Sequence, residues 1–335
     1  MFSDDGYRAL HAAAGLVQPV DRSVIRVGGA DRATWLQGLL TNDIAALGPG
    51  TGCYAAWLTP QGRMITDMHV LETGEALWLD VPAALAAALA ARLDGMVFAE
   101  DVSVADLGGS LAAIGVHGPT AAPVFAAACG GVITAAELQA WQAYQHAEIA
   151  LEGGPVRVVH LAAYGVPGYV VYADPGRLAT LVARLSAAGA VTVPEETAEV
   201  ARIEAGRPRF LVDMDEHTIP LEAGIEHEAI SFTKGCYVGQ EVVIRVMHRG
   251  GGRVAKKLVG LAFAGTAVPK AGAVVRAGGR DVGALTSAAL SPRLGRAVAL
   301  AYVHRDFTEP GTAVEVAAGD APLAAVVHRT PFMGT

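Results

Sequence analysis

The stretch ALWLDVPAALAAALAARLDG (76–95) runs from a short apolar strand-like segment into an alanine–leucine segment with helical spacing. Asp80 reads as an N-cap, Pro82 falls in the first turn where no helical donor is needed, and Gly95 supplies a left-handed stop. YVVYADPGRLATLVARLSAAG (169–189) repeats the scheme with Asp174, Pro175 and Gly189. Each helix is followed by a strand-like run, MVFAEDVSVADL (96–107) and AVTVPEETAEVARI (190–203). Two related α/β units are expected from this repetition.

Upstream, CYAAWLTPQGRMITDMHVLETGEALWLDV (53–81) holds three alternating runs joined by TPQGR and ETGE, which predicts hairpins of an antiparallel sheet. A helix precedes it in GADRATWLQGLLTND, with Asp31 as cap and Trp35, Leu36, Leu39 and Leu40 on one face. After HRGGGRVAKK the texture changes. Short Val/Ala/Leu runs alternate with VPKAG, RAGGRD, LSPRLG and TEPGT turns, the spacing of a small β-barrel or sandwich. The glycines at 250–252 are the expected linker. No G-x-G-x-x-G or G-x-x-x-x-G-K-[ST] phosphate loop is present.

At 335 residues, the chain exceeds a usual single core, and 52% apolar against 17% charged residues is ample for packing. A net charge of −8 argues against nucleic acid as the main partner. Cys53, Cys129 and Cys236 are far apart with no C-x-x-C spacing, so no disulfide framework is expected and a reduced compartment is. The N-terminus carries acids where a secretion signal has basic residues, and VPAALAAALAARL is too short to span a bilayer. The expectation is a cytoplasmic mixed α/β protein without membrane segments.

Three places invite chemistry. Glu204 follows an apolar run and precedes Ala-Gly, near a helix end where a carboxylate needs a partner. It either pairs with Arg202 or Arg207, or accepts paired N–H donors of a ligand such as a pterin ring. Asp67 sits inside a strand and either faces outward or points into a pocket to orient or deprotonate an amine. Cys236 stands between glycines in SFTKGCYVGQEVVIRVMHRG (231–250), with Lys234 before it. It is either a small buried hydrophobe or a thiol whose pKa Lys234 lowers. No histidine lies nearby as a base, and partners at metal-ligand spacing are absent. The basic strip of Arg245, Arg249, Arg253, Lys256 and Lys257 is either a solvated linker or a seat for a polyanionic tail.

KGCYVGQE resembles the K-G-C-[FY]-x-G-Q-E signature of the folate-binding YgfZ-type proteins, relatives of the glycine-cleavage T-protein. RVGGADRATWLQGLLTNDIAALGPGTGCYAAWLTPQGR (26–63) is similar to that superfamily's N-terminal helix and hairpin. RIEAG and IPLEAG resemble its central folate-contacting region, and VGALTSAALSPRLGRAVALAYV (282–303) the start of its C-terminal barrel. The resemblance implies a T-protein-like α+β fold: two related α/β units around a central pocket for tetrahydrofolate, and a C-terminal small β-barrel. The expected domains are 1–50 together with 140–250, then 51–139, then 253–335.

The resemblance also implies that Glu204 contacts the pterin and that Asp67 lies near the reactive nitrogen. Cys236 and Asp67 are the catalytic candidates; Arg202, Tyr169, Lys234, Tyr237 and Arg249 join Glu204 and Asp67 as cofactor-binding candidates. For the YgfZ-type branch it implies a role with iron–sulfur proteins or their assembly factors; the alternative is a folate-dependent aminomethyltransferase. Two departures bear on the branch. T-proteins carry two adjacent acids where this chain has Thr66-Asp67, and their Y-T-G-E-D-G-F segment appears as AYGVPGYV, with Val166 and Pro167 in place of both acids.

Overall fold

A run such as GYVVYA (168–173), apolar throughout, suits a strand covered on both faces, and the chain folds that way. The structure, a computed structural model, describes residues 1–18, 21–249, 253–319 and 321–332, with the side chains of His248 and Arg249 left out. The expected glycine linker at 250–252 lies outside the described residues.

In chain order the elements begin with α1 (Asp4–Ala12), β1 (Gly15–Val17), β2 (Arg22–Gly28), α2 (Arg32–Gln37), β3 (Thr51–Leu58), β4 (Met64–Glu72), β5 (Ala76–Pro82), α3 (Ala86–Asp94), β6 (Ser103–Asp106) and β7 (Ala112–His117). Then come α4 (Ala121–Ala128), α5 (Ala135–Ala140), β8 (His146–Leu151), β9 (Gly154–His160), β10 (Gly168–Ala173), α6 (Pro175–Ala187), β11 (Val191–Thr192) and α7 (Glu195–Glu204). The last are α8 (Pro220–Ala223), α9 (Glu226–Ala229), α10 (Gln240–Arg249), β12 (Lys256–Phe263), β13 (Val274–Ala277), β14 (Arg280–Ser291), β15 (Arg296–His304), β16 (Ala313–Val316) and β17 (Leu323–His328). One unit comprises Met1–Trp57, Thr66–Ala198 and Glu228–Tyr237; a second comprises Leu58–Ile65, Glu199–His227 and Val238–Thr335.

The first unit is built on two sheets. One has six strands in the order β11-β1-β7-β10-β9-β8, the other five in the order β3-β4-β5-β2-β6. Strand periodicity assigns the faces of β10. Tyr169, Val171 and Ala173 point to the side where Phe125 of α4, Leu138 of α5 and Leu178, Leu181 and Leu185 of α6 bury their apolar stripes. Val170 and Tyr172 point the other way and pack with Val159, Val24 and Leu71, the latter two from the five-stranded sheet. Each fully buried leucine of α6 contributes about 1.5–3 kcal/mol against its exposed state.

The second repeat folds as read. Asp174 caps α6 by accepting from the Arg177 amide at 3.1 Å, Pro175 takes the first turn, and Gly189 closes with φ +101°. The first repeat differs. Asp80 is not a cap but a residue of β5, because the strand runs on to Pro82 and α3 starts only at Ala86. Gly95 ends α3 in the ordinary right-handed region at φ −65°. The 190–203 run also departs from a strand. Only Val191–Thr192 pairs with β1, and α7 follows, with Pro194 just ahead and the acids Glu195 and Glu196 in its first turn, where they complement the helix N-terminus.

In the second unit, β12-β15-β14-β13-β16-β17 close into a six-stranded barrel, the one of the two forms left open by the turn spacing that the resemblance implied. The barrel interior mixes small and large side chains. Ala297, Ala299 and Ala301 of β15 are fully buried and alternate inward, packed in one core with Leu261, Phe263 and Val275. A register shift in β14 between Leu285 and Ser287 is a β-bulge, and it matters for the polar cluster below.

Candidate functional site

Asp67 lies on the face of β4 that looks toward the six-stranded sheet, and it is only 5% exposed. Its register explains its company. His69 pairs across from Asp80, and Val24 pairs across from Asp80 on the other side, so the even steps along these strands bring Asp67, Asp80 and Arg22 to one face. Arg22 bridges both acids: Nε donates to Asp80 Oδ1 at 2.8 Å and Nη1 to Asp67 Oδ1 at 3.3 Å. The Tyr54 hydroxyl of β3 donates to Asp67 Oδ2 at 2.7 Å. The Tyr172 hydroxyl, from β10 of the facing sheet, donates to Asp80 Oδ2. Next to them, the His69 ring packs on Tyr54 and shares a 3.0 Å hydrogen bond with the Tyr144 hydroxyl.

The electrostatics follow from burial with compensation. Burial opposes the Arg22 charge, but Asp80 and Asp67 outweigh it and raise the guanidinium pKa above its usual value. Burial first, then the neighbouring carboxylate, pushes the Tyr54 and Tyr172 phenols well above their ordinary range, so both stay neutral donors. Asp67 thus has one partner on each oxygen, the Arg22 contact being long. Each carboxylate oxygen carries two lone pairs, which leaves acceptor capacity for a further N–H.

The segment at 228–237 of the same unit is pinned to the turn after α2. The Thr41 hydroxyl donates to Ala229 O at 2.6 Å, the Ser231 amide to Thr41 O at 3.0 Å, and Asn42 Nδ2 to Glu228 O at 3.0 Å. Lys234 Nζ donates to Gln37 O, Leu40 O and Asn42 O at 2.7, 2.6 and 2.8 Å. Its ammonium is therefore directed at backbone carbonyls, with the Tyr237 ring 5.1 Å away and that ring itself buried. Burial pulls the Lys234 pKa down to about 8, opposed by Asp43 and Cys53. Burial likewise pushes the Cys53 thiol up to about 12, so it stays a thiol. Cys236, by contrast, is exposed, which removes the reading of it as a small buried hydrophobe.

In the second unit, Arg202 of α7 is 6% exposed and anchors a separate cluster. It pairs with Glu199 through Nη2 at 2.6 Å and with Asp213 through Nη1 at 2.7 Å. The bulge in β14 turns two consecutive hydroxyls, Thr286 and Ser287, onto Asp213 Oδ1. Glu204 ends α7, is 2% exposed, and accepts the Phe332 amide on its backbone carbonyl at 2.9 Å. Arg202 thus serves Glu199 and Asp213, the first of which burial opposes and Arg202 then holds below its usual carboxylate value.

Of the cofactor-binding candidates, Tyr169 sits in the helix-covered core, stacked on Phe125 and edge-on to Trp141. It lies on the opposite face of β10 from Tyr172, so the structure does not bring it to Asp67. The Arg249 side chain lies outside the described residues. Arg245 rides on helix α10 and not on a linker. Sequence reasoning missed Arg22, Tyr54, Asp80, Tyr172 and Asp213. The available signal was Asp80 inside the otherwise apolar run ALWLDVP and Arg22 at the first position of β2. Among the described residues no cluster of three or more His, Cys, Asp or Glu could hold a metal ion, and no helix is long and apolar enough to cross a membrane.

Residues 2–234 match the GCVT N-terminal domain, and residues 256–333 match the glycine cleavage T-protein C-terminal barrel domain. An aminomethyltransferase from Rubrobacter xylanophilus is 31% identical over 326 residues, spanning 97% of this chain and 85% of the relative. One from Nostoc sp. is 29% identical, spanning 97% and 86%. The crystal structure of glycine cleavage system aminomethyltransferase T from Bartonella henselae shares the fold with a TM-score of 0.87 at 22% identity, covering 98% of this chain and 89% of that one. The chain belongs to the glycine-cleavage T-protein family.

Proposed function

We propose that this chain binds tetrahydrofolate and carries out one-carbon transfer of the aminomethyltransferase type, with Asp67 as the carboxylate that orients the reacting amine. The observation that carries the reading is Asp67 itself: a buried carboxylate, fixed by Arg22 and Tyr54, with acceptor capacity left over. The relatives named aminomethyltransferase, matched over nearly the whole chain, support the reaction class. Tetrahydrofolate, when bound, supplies the amine nitrogens that receive a one-carbon unit. Arg22 and Tyr54 each donate to one oxygen of Asp67 and fix the plane of its carboxyl group, so that it accepts from an amine in one orientation. Glu204 is the proposed acceptor for the pterin's paired N–H donors.

The test is tetrahydrofolate-dependent aminomethyl transfer by the purified chain. Asp67→Asn keeps the size of the side chain and its place beside Tyr54 but loses the charge. It is expected to lower the rate by about 10²–10⁴-fold with an unchanged circular dichroism spectrum. Unaltered transfer in Asp67→Asn removes Asp67 from the mechanism.

A second reading is favoured by the exposed Cys236 on its pinned loop. Together with the KGCYVGQE signature and with Val166 and Pro167 in place of two acids, it supports a YgfZ-type accessory role for iron–sulfur enzymes. A deletion strain separates the two. Normal glycine cleavage in that strain speaks against the first reading, and full recovery of iron–sulfur enzyme activities with Cys236→Ala speaks against the second.

A further inference from the structure

Three backbone carbonyls, Gln37 O, Leu40 O and Asn42 O, converge on one point within 2.6–2.8 Å of the Lys234 ammonium. Carbonyl groups aimed at one centre repel one another unless a cation sits between them. Those at a helix end, as Gln37 is, lack intrahelical donors of their own. Asp43, held at 2.9 Å by Gln37 Nε2, adds negative charge beside the same turn. An ammonium has three donors and no acceptor, and all three are used here.

We infer that the turn at 37–42 is a monovalent-cation cage that the chain fills with its own lysine. Lys234 is then a tethered cation and a positioning residue. It locks the loop carrying the exposed Cys236 onto the turn after α2, alongside the Thr41 and Asn42 bonds to residues 228–231. A side chain used in this way has no donor left for a ligand. The inference rests on neither reading of the function, since it concerns how the loop is held.

The cage makes a distinctive demand on the full-length protein. Lys234→Ala leaves three carbonyls and a space of ammonium size, whereas Lys234→Met fills the space with an uncharged chain. Backbone amide exchange at Ser231, whose amide donates to Thr41 O, reports the lock. In Lys234→Ala its exchange is expected to quicken by about tenfold or more. Ammonium chloride is expected to restore protection, while tetramethylammonium chloride at equal concentration, too large for the cage, does not. Lys234→Met is expected to loosen without being rescued by either salt. Wild-type protection in the alanine variant overturns the inference, as does loosening that ammonium fails to reverse. If the alanine variant is unfolded without added cation, its circular dichroism spectrum serves instead: refolding in ammonium but not in tetramethylammonium supports the cage, and no refolding in ammonium overturns it.

Discussion

Arg22 is shared between two buried acids, and its removal leaves both without their counter-charge. Breaking such a group from one side costs far more than the pair contributes, so Arg22→Met is expected to lower unfolding stability by about 3–5 kcal/mol in urea. Tyr54→Phe removes only one donor and is expected to cost about 1–3 kcal/mol. The two effects are coupled through Asp67, so the double variant is expected to cost less than their sum. His117 supplies a pH signature. Its buried ring is squeezed between Gly115 and Gly168, and burial lowers its pKa to about 3. The folded protein therefore keeps it neutral while the unfolded chain takes a proton below about 6.5. Its contribution to stability is fully present above about pH 6.5 and is lost as pH falls from there toward 3, at up to about 1.4 kcal/mol per pH unit. A His117→Gln variant should flatten that acid limb in thermal melts between pH 6.5 and 4; an unchanged slope would remove His117 as the cause.

At the scale of elements, two stop-and-start signals that look alike in sequence behave differently for a physical reason. Asp174 stands directly before Pro175, so its side chain reaches the free amides of the first turn. Asp80 is separated from Pro82 by Val81, and β5 continues through all three, turning Asp80 onto Arg22. Asp174→Ala is accordingly expected to cost about 1 kcal/mol of stability, the usual loss of a cap, with no effect on the Asp67 cluster. Gly168 has a stricter role. A Cβ there would lie 1.9 Å from His117 Nδ1, so Gly168→Ala must displace the start of β10. Its expected result is a clear drop in the thermal midpoint, relieved when His117 is also shortened to Ala. The retention of Gly168 beside the replaced acids in AYGVPGYV is thus explained by packing against His117, whatever the loop binds.

For the whole molecule, what was legible in the sequence was whatever repeats along it. Alternation with Pro-Gly punctuation gave the hairpins of β3–β5 and the short strands of a C-terminal barrel or sandwich, and strand-cap-helix grammar gave α6. The Asp67 cluster was not legible, because its members come from strands β2, β3, β4, β5 and β10, with hydrogen-bonded partners as far apart in sequence as Asp80 and Tyr172, 92 residues. Only registration of the sheets brings Arg22, Tyr54, Asp80 and Tyr172 together, and no local pattern encodes that. Lys234 was legible as a cation near Cys236 but not as one already spent on carbonyls. The proposed function requires first that the chain bind tetrahydrofolate, with Glu204 as the proposed acceptor, and titration calorimetry of the full chain tests that most directly. The account predicts saturable one-to-one binding, weakened by about tenfold or more in a folded Glu204→Gln variant, as expected when a charge-assisted hydrogen-bond pair is lost. No binding by the wild-type chain, or equal affinity in both proteins, would contradict it.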